Sequence, residues 1–155
     1  MKKILKTAVI LLIVLSFGFA RDYNTAVGLR GGSPSGATVK HFMGEKVSLE
    51  GIVATRWQGI NLTGLFEINK FPFEIENLNW YYGFGAHVGL YSGNNVAWAS
   101  DNNSYLVIGA DAILGIEYNL TEIPVNIGLD IKPAFNIFGT DGLMGDGALS
   151  IRYYF

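Results

Sequence analysis

From Leu78 onward, apolar residues alternate with polar or very small ones over four long runs, the two-residue period of strands with chemically distinct faces. The predicted strands are Leu78 to Tyr91, Tyr105 to Tyr118, Val125 to Phe138 and Ala148 to Phe155. In the first, Leu78, Trp80, Tyr82, Phe84, Ala86, Val88 and Leu90 share one face, opposite Asn79, Tyr81, Gly83, Gly85, His87, Gly89 and Tyr91. In the third, Val125, Ile127, Leu129, Ile131, Pro133, Phe135 and Ile137 stand opposite Asn126, Gly128, Asp130, Lys132, Ala134, Asn136 and Phe138. The apolar faces of the four strands carry no formal charge, while the opposite faces hold Asp111, Glu117, Asp130, Lys132 and Arg152. Segregation this strict is expected where the apolar face meets lipid, since Lys or Arg at the bilayer midplane costs about 2–4 kcal/mol there.

Shorter runs fill the first half: Tyr23 to Gly32, Gly36 to Met43, Val47 to Trp57 and Gly59 to Lys70. Val27 and Leu29, Val39 and Met43, Leu49 and Val53, and Ile60, Leu62, Phe66 and Ile68 set their outward phase, which leaves Arg30, Lys40, Glu50, Arg56 and Glu67 on the inward one. Four and four strands predict an all-β fold, an eight-stranded antiparallel up-and-down transmembrane barrel. Its inward charges are Arg30, Lys40, Arg56, Lys132 and Arg152 against Glu50, Glu67, Asp111, Glu117 and Asp130, which sum to zero. Eight strands enclose a space that side chains fill, so a lumen sealed by ion pairs is expected, with no wide pore.

Residues 33 to 35, 44 to 46, 58 and 119 to 124 read as short reversals rich in Gly, Pro, Asn and Ser. Residues 92 to 104 and 139 to 147 read as longer polar loops, and 71 to 77 as an apolar-acidic connection along the membrane interface. With both termini periplasmic, the two long loops face the cell exterior. Pro133 lies inside a strand with two neighbours and cannot donate to a ladder, so a bulge is expected there.

Composition adds location. Lys2, Lys3 and Lys6 precede an apolar run from Ala8 to Phe17, followed by Gly18-Phe19-Ala20, the plan of a secretory signal cleaved after Ala20. The domain plan is therefore a signal peptide at 1–20 and a barrel at 21–155. The chain has no Cys, which excludes a disulfide scaffold, a zinc-thiolate site and a lipoprotein anchor. Beyond Ala20 eight Lys or Arg face thirteen Asp or Glu, a balance that argues against nucleic-acid binding.

Ser150-Ile151-Arg152-Tyr153-Tyr154-Phe155, with apolar residues at alternate positions, and the eight runs before it resemble the small eight-stranded bacterial outer-membrane barrels of the OmpA and OmpX type. The stretches at Ala26 to Gly32, Leu49 to Trp57 and Trp80 to Gly89 are similar to small barrels of Bacteroidota-type genomes. The resemblance implies Gram-negative outer-membrane residence. It also implies Ile151, Tyr153 and Phe155 as a C-terminal assembly signal read by the outer-membrane assembly machinery. Lipid, lipopolysaccharide and, during biogenesis, periplasmic chaperones are the implied partners of a monomer.

Candidate chemistry is sparse. His87 projects inward near Asp111 and Glu117, the pattern of an acid–base pair, but no Ser or Cys nucleophile is evidently placed for it, and a lumen network residue is the plainer expectation. His41 faces outward, as a residue of a lipid A deacylase or acyltransferase would, yet falls near the periplasmic rim, away from lipid A. Asp101, Asp141 and Asp146 are read as solvated loop acids without the ligand spacing of a calcium loop. Asn61, Asn102 and Asn119 open N-x-S/T triplets and are read as turn or lumen residues; Trp57, Trp80, Tyr118, Tyr153 and Phe155 form interfacial girdles. The expectation is a structural or surface-interaction barrel with no cofactor, no metal and no catalytic residue. A lipid A-modifying enzyme and a soluble lipocalin-like carrier, whose faces would be inverted, are the alternatives.

Overall fold

A computed structural model describes residues 24–56, 59–71, 75–92, 103–139 and 142–155; the signal segment, Tyr23, Trp57, Asp101, Asn102 and Asp141 lie outside them. Eight strands follow one another: β1 (Thr25–Gly32), β2 (Ser35–Phe42), β3 (Val47–Arg56), β4 (Gly59–Lys70), β5 (Leu78–Ser92), β6 (Ser104–Asn119), β7 (Val125–Phe138) and β8 (Gly142–Tyr154). Each pairs antiparallel with the next, and β1 pairs with β8 from Ala26 opposite Tyr154 to Gly32 opposite Ala148, closing an up-and-down barrel. The turn end holds β1's start, β8's end, the reversals at 43–46 and 120–124, the end of β4 and the start of β5. β1, β3, β5 and β7 finish at the opposite, loop end. β5 to β8 run 13 to 16 residues and β1 to β3 only 8 to 10, so one wall stands taller at the loop end.

The two faces are those the alternation predicts. Ile60, Phe84, Leu129 and Phe135 are more than half exposed on the outside, while Lys40, Glu67, Glu117 and Arg152 are 0–1% exposed inside. An apolar interior with a charged exterior, as a lipocalin-like carrier needs, is therefore not the arrangement found. Among the described strand residues, Lys70 at the turn end is the sole formal charge on the outward face.

Large inward side chains lie across glycines of the next strand. Tyr81 pairs in register with Gly115 and His87 with Gly109, and a Cβ on either glycine would collide with the ring beside it. Turns use the left-handed region where they reverse most sharply, at Gly44 (φ 109°), Asn77 (φ 67°) and Gly139 (φ 92°).

Three expectations are corrected. β8 begins at Gly142, six residues before Ala148, and residues 142–147 are strand; Gly142, Gly145 and Gly147 lack the side chains that make alternation visible, yet pair with Asn136, Pro133 and Ile131. Pro133 carries no bulge: Asp111 opposite Ala134 and Leu114 opposite Ile131 keep one register across it, and only the two pairings between lapse. In an antiparallel ladder a residue's N–H and C=O point to the same neighbour, so a missing donor touches one ladder only; the pairing lapses toward β6, and Pro133 stays opposite Gly145 on β8. The irregularity lies instead between Ile108 and Gly109, which pair with Phe138 and Asn136 and leave Ile137 as the extra residue. Phe138 is thereby turned outward, 61% exposed, where unbroken alternation had placed it inward.

Gly115→Ala is expected to lower stability by about 1–3 kcal/mol, because its Cβ would stand 2.5 Å from Tyr81 Cζ and 2.8 Å from Asp130 Cβ. Gly64→Ala, outward with open space around it, is expected to be neutral. Urea unfolding of both variants in detergent micelles checks the contrast, and equal losses would contradict the face assignment.

Candidate functional site

The lumen holds nearly all the charge of the strands, sorted by height. At the turn end, Lys40 Nζ lies 3.0 Å from both Glu67 and Glu117 and 4.0 Å from the centre of the Tyr81 ring. Arg152 reaches Glu50 at 2.6 Å and Asn126 at 3.2 Å. Thr38 donates to Glu50, Ser48 to Glu67 at 3.1 Å, and Asn79 to Glu117 at 2.7 Å. Two of these contacts follow from register: Ser48 faces Glu67 across β3 and β4, and Asn79 faces Glu117 across β5 and β6.

At mid-height Arg30 grips Asp130 with two parallel bonds of 2.6 and 2.5 Å, and Tyr81 donates to the same carboxylate at 3.1 Å. Around this pair lies an apolar layer of Ile52, Ala54, Leu65, Tyr81 and Ile113. At the loop end Lys132 bridges Asp111 at 2.8 Å and Asp146 at 3.0 Å, and Arg56 meets Asp146 at 3.1 Å. His87 sets Nδ1 2.8 Å from Asp111 and Nε2 3.0 Å from Asn136. The loop-end space beside these groups amounts to about 30 Å³, room for roughly one water molecule.

All ten charges assigned inward by alternation therefore lie in the lumen, with Arg56 half-buried near its mouth. Two details differ from expectation. Glu117 does not join His87: it belongs to the Lys40 cluster, eight residues along β6 from the Gly109 that faces His87. Asp146 is no loop acid: on β8 it faces Lys132 and its side chain is 8% exposed. Its parity matches Ser150 and Arg152, a signal that the surrounding glycines hid.

His41 is exposed at the turn end, its Nδ1 2.9 Å from Thr25 Oγ1. Asn61 and Asn119 point to lumen partners, Asn61 to Tyr91 and Thr63, Asn119 to Asn126 and Tyr154. Ile151 and Tyr153 face outward on β8, and the Tyr153 and Phe155 rings stand 5.3 Å apart. Trp80, half-buried, stacks near Tyr82 at 5.4 Å, and Tyr118 is exposed, all toward the turn end. Among the described residues no group of three or more His, Asp or Glu is placed to hold a metal. What the arrangement does chemically is close the barrel: three layers of charge-paired side chains occupy the path along its axis.

No protein-family profile matches the sequence, and no curated protein matches it. Among solved structures the chain is similar to the N-terminal β-barrel domain of Pseudomonas aeruginosa OprF, with a TM-score of 0.68 at 14% identity, over 85% of this chain and 98% of that one. At that identity the likeness concerns the fold.

Asp130→Asn leaves Arg30 buried beside a neutral partner and is expected to cost about 3–5 kcal/mol, whereas replacing both by Met and Leu recovers most of the loss. A double-mutant cycle on unfolding free energies measures it; additive single losses would show that the pair is not coupled.

Proposed function

We propose that this chain is an integral outer-membrane barrel with a side-chain-filled lumen, serving as a structural or surface-interaction protein of a bacterial envelope. The observation that carries the reading is the reversed distribution of polarity on a closed barrel. Large apolar side chains cover the outside and charges are confined within, a surface that water disfavours and hydrocarbon accepts. Closure removes the unpaired strand edges that lipid cannot tolerate. The barrel's likeness in fold to the OprF domain and the sequence resemblance to OmpA and OmpX barrels are in keeping with it.

In this reading the turn end faces the periplasm and the loop end the exterior. Because 142–147 belong to β8, contacts with outside partners fall chiefly to the connection between β5 and β6. Ile151, Tyr153 and Phe155 serve as the side chains read during assembly, and lipid and lipopolysaccharide surround a monomer. The layers of ion pairs make the protein a plug to solutes.

Membrane fractionation with gel mobility before and after boiling tests the proposal. The expected result is recovery in the outer membrane with a heat-dependent mobility shift; a soluble, unshifted protein overturns it. Leu129→Arg, on the outward face, is expected to cost about 2–4 kcal/mol and sharply lower the folded fraction in lipid vesicles. A variant inserting as well as the parent would place Leu129 outside the hydrocarbon.

A further inference from the structure

Two carboxyl groups of the turn-end layer meet in a way that the ion pairs leave unexplained. Glu50 stands opposite Leu65 and Glu67 opposite Ser48, which makes the two acids diagonal neighbours on the inward face of β3 and β4. They are 2% and 0% exposed, with their carboxyls in hydrogen-bonding reach of one another.

Their four oxygens divide evenly. Glu50 Oε1 accepts from Thr38 and from Arg152 at 2.6 Å, and Glu67 Oε2 accepts from Ser48 at 3.1 Å and lies 3.0 Å from Lys40 Nζ. The other two, Glu50 Oε2 and Glu67 Oε1, are buried, and among the described residues neither has a donor. Two bare carboxylates held side by side away from water repel one another, and the usual outcome is that one keeps its proton. A single proton serves both orphaned oxygens at once, because the carboxyl that carries it donates and the other accepts.

The charge count of the layer gives the same number. Glu50, Glu67 and Glu117 meet two cations, Lys40 from β2 and Arg152 from β8. Arg30 from β1 and Asp130 from β7 neutralise each other, and Tyr81 from β5 donates its hydroxyl to Asp130 while its ring lies against Lys40. Three carboxyls against two cations leave one negative charge over, and one proton cancels it. From the two donorless oxygens and this odd carboxyl we infer that Glu50 and Glu67 hold one proton between them at neutral pH, so that the turn-end layer closes as a neutral unit and its closure depends on pH. Removing the proton in alkali leaves a net negative charge and two opposed carboxylates in a dry layer, which loosens it. The inference stands on the geometry of the lumen, independently of the membrane reading.

Glu67→Gln supplies the test, since its amide can donate to Glu50 Oε2 and its carbonyl oxygen can keep Ser48 and Lys40. Infrared spectra of the full chain, folded in uncharged detergent micelles at neutral pH, are expected to show the carbonyl stretch of a buried carboxylic acid in the parent and in Glu45→Gln, an exposed turn position, and to lack it in Glu67→Gln. Urea unfolding gives a second readout. A glutamate of the unfolded chain titrates near pH 4.3, roughly, so a proton kept only by the folded barrel makes folding less favourable as pH rises. Between about pH 5.5 and 7 the folded-to-unfolded ratio of the parent is expected to fall about tenfold per pH unit relative to that of Glu67→Gln. If Glu67→Gln does not fold, Glu50→Gln, which replaces the other half of the pair, is read in its place with the same expectations. A folded parent without the carbonyl band, a band that survives the substitution, or equal pH dependence in parent and variant overturns the inference. Each of these is read on a folded barrel and leaves the outer-membrane reading untouched.

Discussion

A charge removed from water must find a counter-charge close by, and in this barrel that requirement links strands that are distant in sequence. Arg30 and Asp130 are a hundred residues apart, and Arg152 and Glu50 one hundred and two. Neighbouring strands are held by their ladders regardless, but these pairs join strands that are not neighbours, β1 with β7 and β8 with β3, and Lys40 with Glu117 spans the lumen between the opposite walls β2 and β6. The cost of leaving any member unpaired in a dry interior exceeds what one backbone bond contributes. The barrel's cross-section, set by eight strands and their stagger, is thus braced from within by arginine and lysine side chains.

The sorting of these charges by height has its own effect. Ile52, Leu65 and Ile113 separate the Lys40 cluster from the Lys132 cluster. Each cluster therefore pairs its charges among close neighbours. The interior behaves as two polar networks divided by a short hydrocarbon layer that only the Arg30–Asp130 pair crosses.

Strand parity made most of this legible in the sequence. Once β5 to β7 alternate over fourteen or more residues, the inward set follows by counting, and with it the charges that must pair. Partners were less legible, because register depends on turn geometry: Glu117 lies on the same strand and face as Asp111 but meets Lys40 and Asn79 instead of His87. Parity failed where side chains stop reporting it. Gly142, Gly145 and Gly147 made half of β8 look like a loop and hid Asp146, and one extra residue at Ile137 reversed Phe138. Pro133 misled in the other direction, since a single absent donor proved cheaper than a bulge.

The unequal wall heights leave β8 with two different environments along its length. From Ala148 onward it has β1 beside it, but β1 ends opposite that residue, and the first part of β8, Gly142 to Gly147, rises above the β1–β2 hairpin with β7 as its paired neighbour. Among the described residues the closed barrel therefore ends in a lip, Gly142 to Gly147, paired in the sheet on its β7 side alone. Such an edge ordinarily recruits further strands, as in sheet-to-sheet aggregation. Here half of the lip is glycine, which leaves an incoming strand fewer side chains to pack on, and it carries Asp146 turned inward and held by Arg56 and Lys132. The ion pairs at the mouth of the lumen also tie the lip, through Asp146, to Arg56 on β3 and Lys132 on β7, so one carboxylate serves both as stopper and as guard against self-association.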